Sequence, residues 1–105
     1  MLEGGDAGAA LALEPPSMVT DNVAMNRFEL EVPGGVAFAT YGRVPGVVTI
    51  LHTEVPEALS GKGLGSELAK GLLDMIRARG EKVIPRCKFV AAFIGKHPEY
   101  QELVS

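Results

Sequence analysis

Residues 54–72 read EVPEALSGKGLGSELAKGL, and the way this stretch is parsed decides the fold. Just upstream, residues 47–55 (VVTILHTEV) are rich in β-branched side chains and have the composition of a strand. Downstream, Leu64, Leu68, Leu72, Met75 and Ile76 recur at helical spacing, with Glu67, Lys70, Asp74 and Arg77 on the opposite face. Between strand and helix stand Gly61, Gly63 and Gly65. Glycines this close together weaken a chain unless the backbone needs positive φ or something must approach it closely. A helix starting behind such a turn gathers free N–H groups at the positive end of its dipole, which suits an anion and above all a phosphate.

Working toward the N-terminus, residues 27–32 (RFELEV) and 36–41 (VAFATY) alternate apolar and polar positions around Pro33-Gly34-Gly35, a hairpin signal. Phe28, Leu30 and Val32 share one face. The Pro45-Gly46 turn then adds residues 47–55 as the third strand of an antiparallel meander, with His52 and Glu54 on one side and Thr53 and Val55 on the other. Working toward the C-terminus, Arg77 and Arg79 suit the negative end of the helix dipole and Gly80 terminates the helix. Residues 81–85 (EKVIP) form a short buried strand, reached by a crossover helix and therefore parallel to the third strand. Residues 88–95 (KFVAAFIG) make a last helix with Phe89, Ala92 and Phe93 on one face, ended by His97-Pro98. The expectation is an α/β chain of the α+β kind with a mixed sheet.

A length of 105 residues supports one core. Residues 1–17 (MLEGGDAGAALALEPPS) carry acids where a secretory signal has basic groups, and read as a flexible leader to a domain spanning 18–105. The net charge of −3 argues against nucleic acid, and no apolar run approaches the roughly 20 residues of a membrane helix. Cys87 stands alone, without the companions of a zinc site or a partner for an internal disulfide, so no metal is expected and a reducing cytoplasm fits. A monomer or weak dimer is expected.

The glycine turn fails two familiar patterns. A Walker A loop places its lysine beside a hydroxyl residue, whereas Lys62 is followed by Gly63. A dinucleotide fold would need an acid about 20 positions on, at the end of the next strand; Glu81 instead opens that strand, and the chain is too short for a doubly wound sheet.

The combination of residues 50–74 (ILHTEVPEALSGKGLGSELAKGLLD) with VIPRCKFVAAFIGKHPEY resembles the short, single-domain branch of the GNAT superfamily of N-acetyltransferases, over residues 23–103. In that superfamily the turn reads Arg or Gln, two residues, Gly, one residue, then Gly or Ala, and the matching positions are Ser60, Gly63 and Gly65. Ser60 departs from the pattern by lacking a long polar side chain. The resemblance implies a minimal GNAT-like fold, acetyl-CoA as cosubstrate and an amine as acceptor. It implies pyrophosphate on the turn at Gly61, Lys62, Gly63, Leu64, Gly65 and Ser66. The pantetheine arm would run along the backbone where the parallel strands splay, beside Thr53 and Val55, with adenine at the far end of the turn and the thioester near Cys87.

Acetyl transfer needs a neutral amine, a polarised carbonyl and a stabilised leaving thiolate. Glu54 is the candidate base, with His52 next to it on the same face, and both read equally as solvated sheet-surface groups. Cys87 lies between Arg86 and Lys88 at a helix start, an electropositive setting that lowers a thiol pKa, and is either a covalent acetyl carrier or an inert small core residue. Tyr100 is either a proton donor to the leaving thiolate or a packing residue, and His97 reads as a helix-end cap. The leading reading is an acetyl-CoA-dependent N-acetyltransferase. Its rivals are a non-catalytic CoA or acyl-CoA binding module and a small α/β interaction domain.

Overall fold

In the computed structural model, which describes residues 18–105, the alternating runs become strands with the expected connections. Strand β1 (Val19–Asn22) pairs antiparallel with β2 (Arg27–Val32), β2 with β3 (Gly35–Val44), and β3 with β4 (Val47–Glu54). Helix α1 (Leu64–Ala78) crosses over to β5 (Lys82–Pro85), which lies parallel to β4 at the far side of a sheet in simple chain order. Helix α2 (Lys88–Lys96) follows, then a 3-10 segment (Pro98–Leu103). The leader expected over residues 1–17 lies outside the described residues.

The core forms on one face of the sheet. Phe28, Leu30, Val48 and Ile50 of the strands meet Leu68, Leu72, Leu73 and Ile76 of α1, all fully buried. Truncating one of these leucines to alanine leaves a cavity that costs about 2–5 kcal/mol. Both helices join this single cluster, so among the described residues no element covers the other face, where Leu51 and Ile84 are exposed.

Two findings differ from the sequence reading. The meander has an additional strand, β1, too short and too polar for alternation to reveal; it is fixed by Asp21, whose side chain is 4% exposed. Asp21 Oδ1 accepts from Tyr41 Oη at 2.6 Å, and Oδ2 accepts from Arg79 at 2.8 Å and from Arg43 at 3.3 Å. Burial is the largest influence on this carboxyl and opposes ionisation, but the Tyr41 and Arg79 hydrogen bonds and the two arginine charges together hold it below its ordinary value. Burial and the same carboxylate push the Tyr41 phenol up to about 12. The second difference lies in α2, whose buried face is Val90, Phe93 and Ile94; Ala92 is exposed and Phe89 is 41% exposed. Phe89 sits in the first turn and rests over α1 instead of the sheet.

The C-terminal residues return to β5. Val104 forms a parallel bridge to Val83, Ser105 N–H donates to the Val83 carbonyl at 2.9 Å, and Lys82 Nζ donates to the Glu102 carbonyl at 2.7 Å.

Candidate active site

Strand β4 is where the site is made. Tyr41 pairs with Ile50 but Thr40 pairs with His52, so Leu51 is an extra residue, a bulge. Strict alternation from the buried Ile50 would send His52 and Glu54 into the core. The bulge reverses the alternation. Thr53, opposite the buried Ala39, faces the helices, while His52 and Glu54, opposite Thr40 and Phe38, face the open side. There His52 Nε2 and Glu54 Oε1 are 3.1 Å apart, both side chains more than half exposed.

The bulge also coincides with the end of the parallel pairing. The register of β4 and β5 stops at Ile50 and Pro85. Ile50 then accepts from two successive amides, Arg86 N–H and Cys87 N–H, each at 3.0 Å, and the chain turns into α2. Beyond this fork residues 51–54 have no strand on the β5 side among the described residues. An extended ligand with amide groups fits such an edge. Val55 follows directly, partly buried against the core.

Cys87 stands at the fork on the helix side. Its sulfur is 3.2 Å from Thr53 Oγ1 and the residue is 9% exposed. Burial is the strongest single influence and raises the thiol pKa, but the Thr53 hydroxyl, with smaller contributions from the first-turn N–H groups of Val90 and Phe89 and from the Thr53 backbone, brings it below the ordinary cysteine value. The flanking Arg86 and Lys88, on which the sequence reading rested this activation, are both exposed and contribute nothing comparable.

The glycine turn precedes α1 as expected. Gly61 and Gly63 hold φ of 81° and 77°, a left-handed backbone that a side chain would strain. Gly63 is the N-cap and offers no side chain, so the first-turn N–H groups of Leu64, Gly65 and Ser66 point out of the helix without a side-chain cap. Gly65 has another reason for its identity: a Cβ there would lie 2.7 Å from Phe89 Cζ. The ring of Phe89 therefore joins the turn to the start of α2. Lys62 is exposed beside the turn, and Ser60 Oγ donates to the Glu57 carbonyl at 2.9 Å.

A groove of about 430 Å³ continues from Ser66 and Glu67 past Lys70 to Phe93, His97 and Tyr100. His97 stacks on Phe93 at 4.0 Å and 17°, and its Nδ1 meets the Phe93 carbonyl at 2.9 Å, as a helix-end cap should. Tyr100 Oη donates to Asp74 at 2.7 Å. Burial, then that carboxylate, raise its pKa above the ordinary range.

The structure thus brings together Cys87 and Thr53, and separately His52 and Glu54, on opposite faces of β4. Sequence reasoning missed the pairing of Thr53 with the thiol, because only the bulge turns that side chain inward.

A GCN5-related N-acetyl-transferase family model matches residues 27–103, from β2 through the last 3-10 segment. The chain belongs to this family. Among curated relatives of this GCN5-related protein, Protein NATD1 of Bos taurus is 33% identical over 57 residues, covering 54% of this chain and 50% of its own. Protein NATD1 of Danio rerio is 34% identical over 59 residues, covering 54% of each. The chain spans about half the length of these relatives. The solution structure of a GCN5-like protein from Staphylococcus aureus superposes with a TM-score of 0.63 at 26% identity, covering 85% of this chain and 88% of that one. As a GCN5-related domain the chain has a five-stranded sheet with the parallel β4–β5 pair that makes the fork. No helix among its described residues is long and apolar enough to cross a membrane.

Proposed function

We propose that the protein is an acetyl-CoA-dependent N-acetyltransferase that carries the acetyl group on Cys87. One observation carries the reading: the fork between β4 and β5 opens onto a thiol with a lowered pKa on one face and a His–Glu pair on the other. The bare N-terminus of α1, with Gly61, Lys62, Gly63, Leu64, Gly65 and Ser66, suits the pyrophosphate. The edge of β4 beyond the end of its pairing with β5, at Thr53 and the following Val55, suits the pantetheine amides. The aromatic wall of the groove beyond Ser66 suits adenine.

In the reaction, the Cys87 thiolate attacks the acetyl carbonyl carbon of acetyl-CoA. The new sulfur–carbon bond replaces the one to CoA, whose thiolate leaves and takes a proton from solvent. A neutral amine arriving from the open face attacks the acetyl group on Cys87, and the Cys87 thiolate is released. The proton lost by the nitrogen passes to Glu54, directly or through His52.

Intact mass spectrometry after incubation with acetyl-CoA and no acceptor tests this. The reading expects one acetyl group on the wild-type protein and none on Cys87→Ala. An unmodified wild-type protein that still binds acetyl-CoA would contradict the covalent route.

A second reading is favoured by the near-burial of Cys87 and its separation from Glu54: a module that holds acyl-CoA without turnover. It expects binding with no release of free CoA.

A further inference from the structure

We propose that Thr53 is the positioning residue for the Cys87 thiolate, its hydroxyl donating to Sγ and holding the sulfur at the fork. The proposal deepens the covalent reading and rests on it for its functional meaning. Its support is geometric. Thr53 is turned toward the helices only because Leu51 is bulged, and its Oγ1 lies 3.2 Å from a sulfur that is 34 residues away in sequence. Cys87 is itself fixed from behind, its N–H bonded to the Ile50 carbonyl. It occupies the N-cap position of α2, yet its side chain closes no hydrogen-bonded cap. The hydroxyl of Thr53 is thus the side-chain hydrogen-bond partner of the sulfur.

The two protonation states use this contact differently. A neutral thiol donates weakly to the hydroxyl oxygen. Once the proton has left, the hydroxyl rotates and donates to the sulfur, a charge-assisted bond and the stronger of the two. The first-turn N–H groups of Phe89 and Val90 favour the same state.

The charged groups near the fork do not substitute for this bond. Arg86 and Lys88 flank Cys87 with exposed side chains, and Lys62 is exposed in the glycine turn. From β4, His52 and Glu54 lie on the other face and engage each other. Changing Thr53 should therefore move the titration of the thiol, which a merely space-filling residue would not do.

The test is the rate of Cys87 alkylation by iodoacetamide as a function of pH in the full chain, for wild type, Thr53→Val, Thr53→Ala and Thr53→Ser, each checked for fold by its amide spectrum. Wild type should titrate below the ordinary cysteine range of about 8.5. Valine and alanine should raise the midpoint by about 1 on the pH scale, and serine should restore it. The proposal is overturned if a folded hydroxyl-free variant titrates with wild type, or if the wild-type thiol titrates at or above the ordinary value. Alkylation needs no acetyl-CoA, so this result stands apart from the acetylation experiment. A shifted profile in a protein that takes no acetyl group would sink the covalent route and keep the thiolate contact.

Discussion

Gly63 and Gly65 are two positions apart and are required for different reasons. Gly63 has a left-handed backbone, so Gly63→Ala should lower stability by about 1–2 kcal/mol through strain alone, measurable by denaturant titration. Gly65 is helical, and a Cβ there meets the ring of Phe89. Because that ring is 41% exposed it can swing aside, so Gly65→Ala should cost less than about 1 kcal/mol while displacing the ring, seen as altered ring-current shifts at Leu64 and Ser66. Equal destabilisation by the two substitutions would show that the distinction is wrong. The sequence made the turn legible as a place where side chains are excluded. It did not distinguish a torsional reason from a contact, since the contacting ring is 24 residues downstream. Cys87 was legible as a candidate for the same site, but the flanking basic residues pointed to the wrong cause of its lowered pKa.

Among the elements, β1 and β4 show what local pattern cannot carry. Strand β1 has four residues and is held through Asp21, which collects one tyrosine and two arginines from β3 and the end of α1. Asp21→Asn should lower stability by about 2 kcal/mol, or a Tm fall of roughly 10 °C for a domain this small. The pH dependence has a definite sign. Since the folded carboxyl has a lowered pKa, its contribution is complete above the unfolded value near 3.8 and is lost as pH falls through the folded value. Wild type should therefore lose its advantage over Asp21→Asn in acid denaturation below about pH 4, and a constant difference down to pH 2 would contradict this assignment. The hairpins, the helix start at Leu64 and the parallel fifth strand were readable because alternation, helical spacing and crossover handedness are local or nearly so. The bulge at Leu51 was not readable, because a single extra residue is visible only in the register against β3. Yet that residue decides which side chains face the thiol.

At the scale of the molecule, helices on one face and an open sheet on the other divide the labour of the proposed reaction. The donor side holds the glycine turn, Thr53 and Cys87, and the open side holds His52 and Glu54. Glu54→Gln should leave acetyl-CoA binding and acetylation of Cys87 intact while slowing transfer to an amine by about 10²-fold or more; equal loss of both half-reactions would show that the faces are not separate. The resemblance of the sequence to short GNAT proteins was legible from the joint pattern of turn, cysteine and final helix. The two-sided arrangement was not, since it depends on the bulge. The most direct measurement of the central claim is a titration of the protein with acetyl-CoA followed by backbone amide shifts. The account predicts shifts concentrated at residues 51–55, 61–66 and 87–90, meeting at the fork. No shifts at millimolar ligand, or shifts confined to the open face, would contradict it and leave the glycine turn as a structural device.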